Sequence, residues 1–252
     1  MSEYYKPHRS VAWNFGGPNW KLSRSKIDLF LECPRCFYVD NKLGVARPPG
    51  FPFSLNSAVD KLLKKEFDIH RAKKTHHPLL EKYGVDAVPF QHKDLELWRD
   101  SLRNGISFRH EPTGFLVRGG VDDVWVRPNG ELIVADYKAT SKDGEVSLDA
   151  EWQDGYKRQM EVYQWLFRRN EFKVSDTGYF VYVNGKTDRE AFDGKLEFDV
   201  ALIPYVGNDD WIEQTLLDIK KCLVSDEIPK PDEKCDYCNY RKAAAEASAK
   251  KI

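Results

Sequence analysis

Gly120-Val121-Asp122-Asp123-Val124-Trp125-Val126, then Arg127-Pro128-Asn129-Gly130-Glu131, then Leu132-Ile133-Val134-Ala135-Asp136-Tyr137-Lys138 reads as two strands joined by a tight turn. Side chains alternate faces along a strand, so Asp136 and Lys138 point the same way. The connector suits a three-residue hairpin, with Pro128 and Asn129 at the centre of a type I turn and Gly130 left-handed in a bulge. That register sets Arg127 opposite Glu131 and, counting back, Asp122 opposite Asp136. Lys138 then faces Gly120, which has no side chain to crowd it. A two-residue Asn-Gly turn would slip the pairing by one and separate the two carboxylates onto opposite faces. Pro128 favours the three-residue turn. Two carboxylates beside a lysine are a means of holding a divalent cation next to a fixed positive charge. The structural alternative is a salt-bridged Asp136–Lys138 pair at a sheet edge.

The rest of the hairpin is apolar on both faces. Val124, Val126, Leu132 and Val134 share the carboxylate side, and Val121, Trp125, Ile133, Ala135 and Tyr137 occupy the other. Strands apolar on both faces are covered on both, usually by helices. Charge at the end of such a face is costly to bury unless paired or bound to metal. Asp123 points away from the carboxylate pair and is expected to be a surface or paired carboxylate.

The chain has 252 residues, 41% hydrophobic and 31% charged, with a formal net charge of -1. Those values fit a soluble globular protein and exclude a general polycation, so any nucleic-acid contact needs local positive patches. Two are candidates: Lys61, Lys64, Lys65, Arg71, Lys73 and Lys74 in one segment, and Lys157, Arg158, Arg168 and Arg169 in another. Such runs are more often solvated helix faces. No apolar run reaches membrane-spanning length and no signal peptide opens the chain, so a cytoplasmic protein without membrane partners is expected.

Periodicity and breakers give the organisation. Residues 1–22 read as an irregular arm. Ser25 is placed to cap a helix leading into Cys33, and 47–52 is a proline-stiffened loop. Helices are expected from Ser54 to about Ile69, over 94–105, from Trp152 to Arg169 and from Asp209 to Leu223, with strands over 177–183 and 196–203. Gln159 and Tyr163, four apart, share one helix face, and Tyr156 extends the row.

Five cysteines in a cytosolic chain argue against a disulfide framework. Four of them form Cys33-x-x-Cys36 and Cys235-x-x-Cys238, the ligand spacing of a closed metal site. Such a site would clip the N- and C-terminal segments together. Thiolates in tetrahedral array suit both zinc and iron–sulfur. Cys222 stands alone on an amphipathic helix and is expected in the core.

Gly-x-Asp-x-Val, hairpin, Asp-Tyr-Lys resembles the core of the PD-(D/E)XK nuclease superfamily, and within it the RecB-like branch. Gln159-Met160-Glu161-Val162-Tyr163 resembles its Gln-x-x-x-Tyr helix motif. Ser25 to Tyr38, with Cys33-Pro34, is similar to its N-terminal cysteine segment, and Cys235 to Arg241 to its C-terminal one. The resemblance implies an α/β fold of restriction-endonuclease type, a mixed central sheet flanked by helices, with a cysteine-bound metal tying the two ends. It would be a single domain over 23–242, with a helical part about 54–105 and a catalytic core about 114–203. An irregular arm at 1–22 and a flexible tail at 243–252 would flank it.

The implied activity is a magnesium- or manganese-dependent deoxyribonuclease acting on DNA ends or single strands. Asp122, Asp136 and the backbone carbonyl of Tyr137 would hold the cation. Lys138 would orient or deprotonate the attacking water or stabilise the transition state, and Gln159 and Tyr163 would hold substrate and lysine in place. Asp60 stands where relatives carry a histidine ligand, and Lys157 and Arg158 would meet phosphate. Iron–sulfur relatives use one N-terminal and three C-terminal cysteines, whereas here the distribution is two and two. Both a 4Fe-4S cluster and zinc therefore remain open. The alternative from another class is a catalytically weak nucleic-acid-binding or structural subunit of a repair, recombination or defence complex. No Gly-x-x-x-x-Gly-Lys-Ser/Thr motor motif occurs, so a helicase or other complex subunit is a further candidate partner.

Overall fold

The computed structural model describes residues 6–50 and 54–249. Phe51 and Pro52 of the expected proline loop lie outside them. The helices are α1 (Arg24–Glu32), α2 (Pro34–Asn41), α3 (Ser54–Lys73), α4 (Pro78–Lys82), α5 (Leu95–Arg99), α6 (Asp154–Arg169), α7 (Asp210–Val224) and α8 (Asp236–Ala249). The strands are β1 (Leu22–Ser23), β2 (Val88–Pro89), β3 (Ile106–His110), β4 (Phe115–Gly119), β5 (Asp123–Val126), β6 (Leu132–Thr140), β7 (Thr177–Gly185) and β8 (Phe198–Val206). The fold is mixed α/β with two sheets, one of three strands in the order β1-β4-β3 and one of five in the order β2-β5-β6-β7-β8.

The chain divides into two compact units. One contains 6–50, 109–117 and 211–249 of the described residues, the other 54–108 and 118–210. The second holds the whole five-stranded sheet. β6 pairs antiparallel with β5 and parallel with β7, and β7 pairs antiparallel with β8, so the sheet is mixed. The turn between β5 and β6 is the three-residue form: Gly130 has φ of 80° and donates to the Arg127 carbonyl at 2.9 Å. Asp123 consequently pairs with Ala135 and Val126 with Leu132, the register that brings Asp122 level with Asp136.

Helices cover both faces of this hairpin, as its apolar composition requires. On one face Leu63 and Phe67 of α3 pack with Trp125, Ile133, Ala135 and Tyr137. The Phe67 ring stacks on Trp125 at 5.5 Å and on His77 at 3.9 Å. On the other face α6 approaches so closely that a Cβ on Gly178 would sit 2.4 Å from the Met160 sulfur.

In the first unit, Pro34 breaks what would be one helix into α1 and α2, and Cys33 both ends the first and caps the second. Ser23, not Ser25, caps α1: it is the extended residue, and its hydroxyl accepts from the Lys26 amide at 3.4 Å. The arm at 1–22 is not wholly irregular among the described residues, since Val11–Trp13 form a 3-10 turn and Leu22 begins β1. The stretch expected as a flexible tail is helical through Ala249, because Ala243, Ala244, Ala245 and Ala247 are strong helix formers. The helix expected over 94–105 stops at Arg99. There the Asp100 carboxylate accepts from the amides of Leu102 and Arg103 at 3.2 and 3.1 Å, offering the backbone a turn in place of helix. No helix among the described residues is long and apolar enough to cross a membrane.

Candidate functional site

Two groupings stand out, one in each unit. The first lies at the end of the β5–β6 hairpin. Asp136 is fully buried and forms an ion pair with Lys138, two residues along the same strand face. Its Oδ1 accepts from the Gln159 side-chain amide at 2.7 Å, while Gln159 Oε1 accepts from Lys138 Nζ at 3.3 Å. The amide of Gln159 also reaches the Tyr163 hydroxyl at 3.0 Å, one turn further along α6. Tyr156 completes the row, with the Lys138 ammonium 4.3 Å from its ring centre. A buried ion pair gains little unless its remaining hydrogen-bonding capacity is met, and Gln159 meets it on both partners.

Glycine makes room for this row. A Cβ on Gly119 would fall 2.5 Å from the Tyr163 ring, so the ring lies directly on the backbone of β4. Gly120 has a different role from the one expected. Its missing side chain leaves space for Ser101, whose Cα would be 2.5 Å from a Cβ, and not for Lys138.

Asp122 lies just before β5 and turns toward α3. Its Oδ1 is 3.1 Å from Lys64 Nζ, its Oδ2 accepts from the Tyr137 amide at 3.0 Å, and its carbonyl accepts from Arg99 at 3.1 Å. Lys64 also contacts Asp60, one helical turn earlier, at 2.7 Å. Burial pulls the Lys64 ammonium toward deprotonation, but the charge of Asp122 and the bond from Asp60 outweigh it and hold the pKa above the usual lysine value. A small cleft of about 110 Å³ lies beside Asp60 and Lys138, lined also by Asn56, Tyr137 and Tyr156 among others.

Lys64 is the member that sequence reasoning missed. It belongs to a basic run, and the only local signal is that Asp60 and Lys64 are four apart and share a helix face. Several members of the basic runs are engaged with acidic neighbours. Arg71 is buried in an ion network, Arg168 pairs with Asp176 and Asp209 at 2.6 Å each, and Lys157 pairs with Asp154 at 3.0 Å. Lys157 and Arg158 are half-buried on the second turn of α6.

The donor set suits a hard divalent cation. Asp60, Asp122 and Asp136 offer carboxylate oxygens, and the ammonium held between Asp60 and Asp122 marks a place where the protein already requires positive charge. Among the described residues the three do not close into a group within 4.8 Å, so metal entry would draw them together and displace Lys64.

Asp123, adjacent in sequence, does the opposite work. It is fully buried and accepts from Arg71, from Arg99 at 3.2 Å, from Trp125 Nε1 at 3.3 Å, from the Val124 amide at 2.9 Å and from the Tyr137 hydroxyl at 2.8 Å. Burial, and then the negative charge of Asp123, push the Tyr137 phenol well above its ordinary pKa, keeping it a donor.

The second grouping is the cysteine set. Cys33, Cys36, Cys235 and Cys238 are buried, and their sulfurs all lie within 4.8 Å of one another. They are free thiols, brought together from both ends of the chain. Burial pushes the Cys33 thiol up, yet backbone donors at Asp232 and Cys36 outweigh it and bring it down to about 7. Arg47 approaches the Cys235 sulfur at 3.5 Å, pairs with Glu32 at 2.8 Å and lies over the Tyr237 ring. Cys222 is half-buried and apart from this set, its thiol raised to about 11 by burial.

The profile of the PD-(D/E)XK nuclease superfamily matches residues 21–243, nearly the whole chain. The chain belongs to that superfamily. A solved structure, described as the crystal structure of SSO0001, is similar at 21% identity, with a TM-score of 0.29 over 46% of this chain and 45% of that one. The match thus spans under half of that chain. No curated protein matches the sequence.

Proposed function

We propose that the protein is a divalent-metal-dependent nuclease that hydrolyses phosphodiester bonds in DNA, at ends or in single strands. The observation that carries this reading is the array Asp136–Lys138–Gln159–Tyr163 beside Asp122. A buried carboxylate and a half-buried ammonium are locked together at a cleft whose other wall carries Asp60. Magnesium or manganese held by Asp122 and Asp136, with Asp60 as a third donor, would supply Lewis-acid polarisation of the phosphate and a more acidic water.

The chain's own residues do the positioning. The Tyr137 amide and Arg99 fix Asp122 from either end, and the amide of Gln159 fixes Asp136. The Lys138 ammonium stabilises negative charge as it develops on the phosphoryl oxygens, or orients the attacking water. Gln159 keeps that ammonium aimed, and Tyr163 keeps Gln159 in place. Lys157 and Arg158 would meet the strand's phosphates, and a helicase or other subunit would present the strand. One observation favours a second reading, that of a catalytically weak binding subunit: Lys64 already neutralises Asp60 and Asp122.

The deciding experiment compares wild type with Lys138→Ala on end-labelled single- and double-stranded DNA, with magnesium or manganese. Cleavage by wild type alone supports the nuclease. Equal binding by both with cleavage by neither supports the second reading.

A further inference from the structure

We propose that the four cysteines hold one tetrahedral zinc ion and not an iron–sulfur cluster. The argument is the size of the sulfur cage. Cys36 Sγ is 3.6 Å from both Cys235 Sγ and Cys238 Sγ, and Cys33 Sγ is 3.9 Å from Cys238 Sγ. A single tetrahedral ion with metal–sulfur bonds of about 2.3 Å requires sulfurs about 3.8 Å apart, the edge of the tetrahedron. A four-iron cluster places each thiolate on its own iron, with inorganic sulfide between. Its cysteine sulfurs stand on the order of 6 Å apart. No pair here exceeds 4.8 Å. The cage fits one ion and is too small for a cluster.

Local structure explains the size. Both Cys-x-x-Cys pairs are built alike at the start of a helix. Cys33 is the cap of α2 and Cys36 lies in its first turn, while Cys235 immediately precedes α8 and Cys238 lies in its first turn. Two helix N-termini, the positive ends of their dipoles, therefore lie beside the four sulfurs. Arg47 beside Cys235 offsets part of the net negative charge of four thiolates on a divalent ion. The site is closed, with every cysteine less than a tenth exposed, which leaves no open coordination position and marks the ion as structural. The two-and-two distribution of cysteines matches this pairing of two similar helix starts.

The test is metal analysis of the full chain, produced with both zinc and iron supplied and purified without oxygen so that a cluster would survive. The expected result is a colourless protein with one zinc per chain and no acid-labile sulfide. Replacing zinc by cobalt(II) should give the intense visible bands of tetrahedral thiolate coordination, a readout independent of any nuclease activity. Cys238→Ser should weaken zinc retention at least tenfold in chelator competition. Should that variant fail to fold, the cobalt spectrum of the wild type still decides. Brown protein with iron and sulfide overturns the proposal, as does iron at any stoichiometry in place of zinc, or a chain that takes up neither zinc nor cobalt.

Discussion

Asp122 and Asp123 are neighbours with opposite work, and substituting each in turn separates the fold from the site. Asp123→Asn keeps the shape but removes the charge that two guanidiniums share. The Arg71 and Arg99 side chains are each 7% exposed, and Asp123 is 0% exposed. Breaking a buried pair costs about 3–5 kcal/mol, because the remaining charge is stranded. Here Asp68, 42% exposed and bonded to both arginines at 3.0 Å, still offers them a carboxylate, so the lower end applies. About 3 kcal/mol corresponds to a fall in melting temperature of about 6–12 °C for a chain of this size. Asp122→Asn disturbs a half-exposed contact with Lys64, worth at most about 1 kcal/mol or about 2–4 °C. Circular-dichroism melts of both variants, with urea titrations to check that the m-value is unchanged, measure the difference. DNA cleavage should be lost in Asp122→Asn whatever its melting temperature. Equal melting shifts in the two variants, or a fall below about 3 °C for Asp123→Asn, would refute the division of labour.

Gly119→Ala should lower stability by about 1–3 kcal/mol, because the new methyl meets the buried Tyr163 ring at 2.5 Å; calorimetry reads it, and cleavage should fall with it as Gln159 loses its support. Lys64→Met should tighten manganese binding about fivefold, measured by titration calorimetry, since the ammonium competes for Asp60 and Asp122; weaker binding would remove those carboxylates from the metal site. Burial raises the Asp68 carboxyl, but bonds from Arg99 and Arg71 outweigh it and hold it below the usual aspartate value. A depressed carboxyl contributes stability that is complete above about pH 4 and lost as pH falls. Asp68→Asn should therefore flatten the acid limb of the stability–pH curve, and an unchanged limb would count against the network.

The parts legible in the sequence are those set by local rules. Pro128, Asn129 and Gly130 dictate a turn, the turn dictates register, and register places Asp122 against Asp136. Helical period places Gln159 beneath Tyr163, and Cys-x-x-Cys spacing names the four sulfurs. What the sequence hid depends on contacts between distant segments. Nothing near Gly120 announces that Ser101 fills its missing side chain, and nothing near Asp123 announces that Arg71 and Arg99 converge on it. Lys64 was hidden differently: its charge fits a solvated helix face equally well until Asp122 is seen to lie opposite.

The alternation that makes the hairpin readable also explains how the site is held. Along β6, Asp136 and Lys138 face α6, where Gln159 joins them, while Tyr137 between them faces α3 and donates to Asp123. At the start of β5 the adjacent pair also divides, Asp122 to Lys64 and Asp123 to Arg71 and Arg99. Asp122, Asp136 and Lys138 each therefore have an immediate neighbour in the chain, Asp123 or Tyr137, anchored in a buried, bonded network. Arg99 belongs to both, accepting Asp123 as its counter-ion and donating to the Asp122 carbonyl. Rigidity at the cleft is thus a property of the reverse face of the sheet. A substitution there should alter the geometry of Asp122 without touching a group that meets substrate or metal.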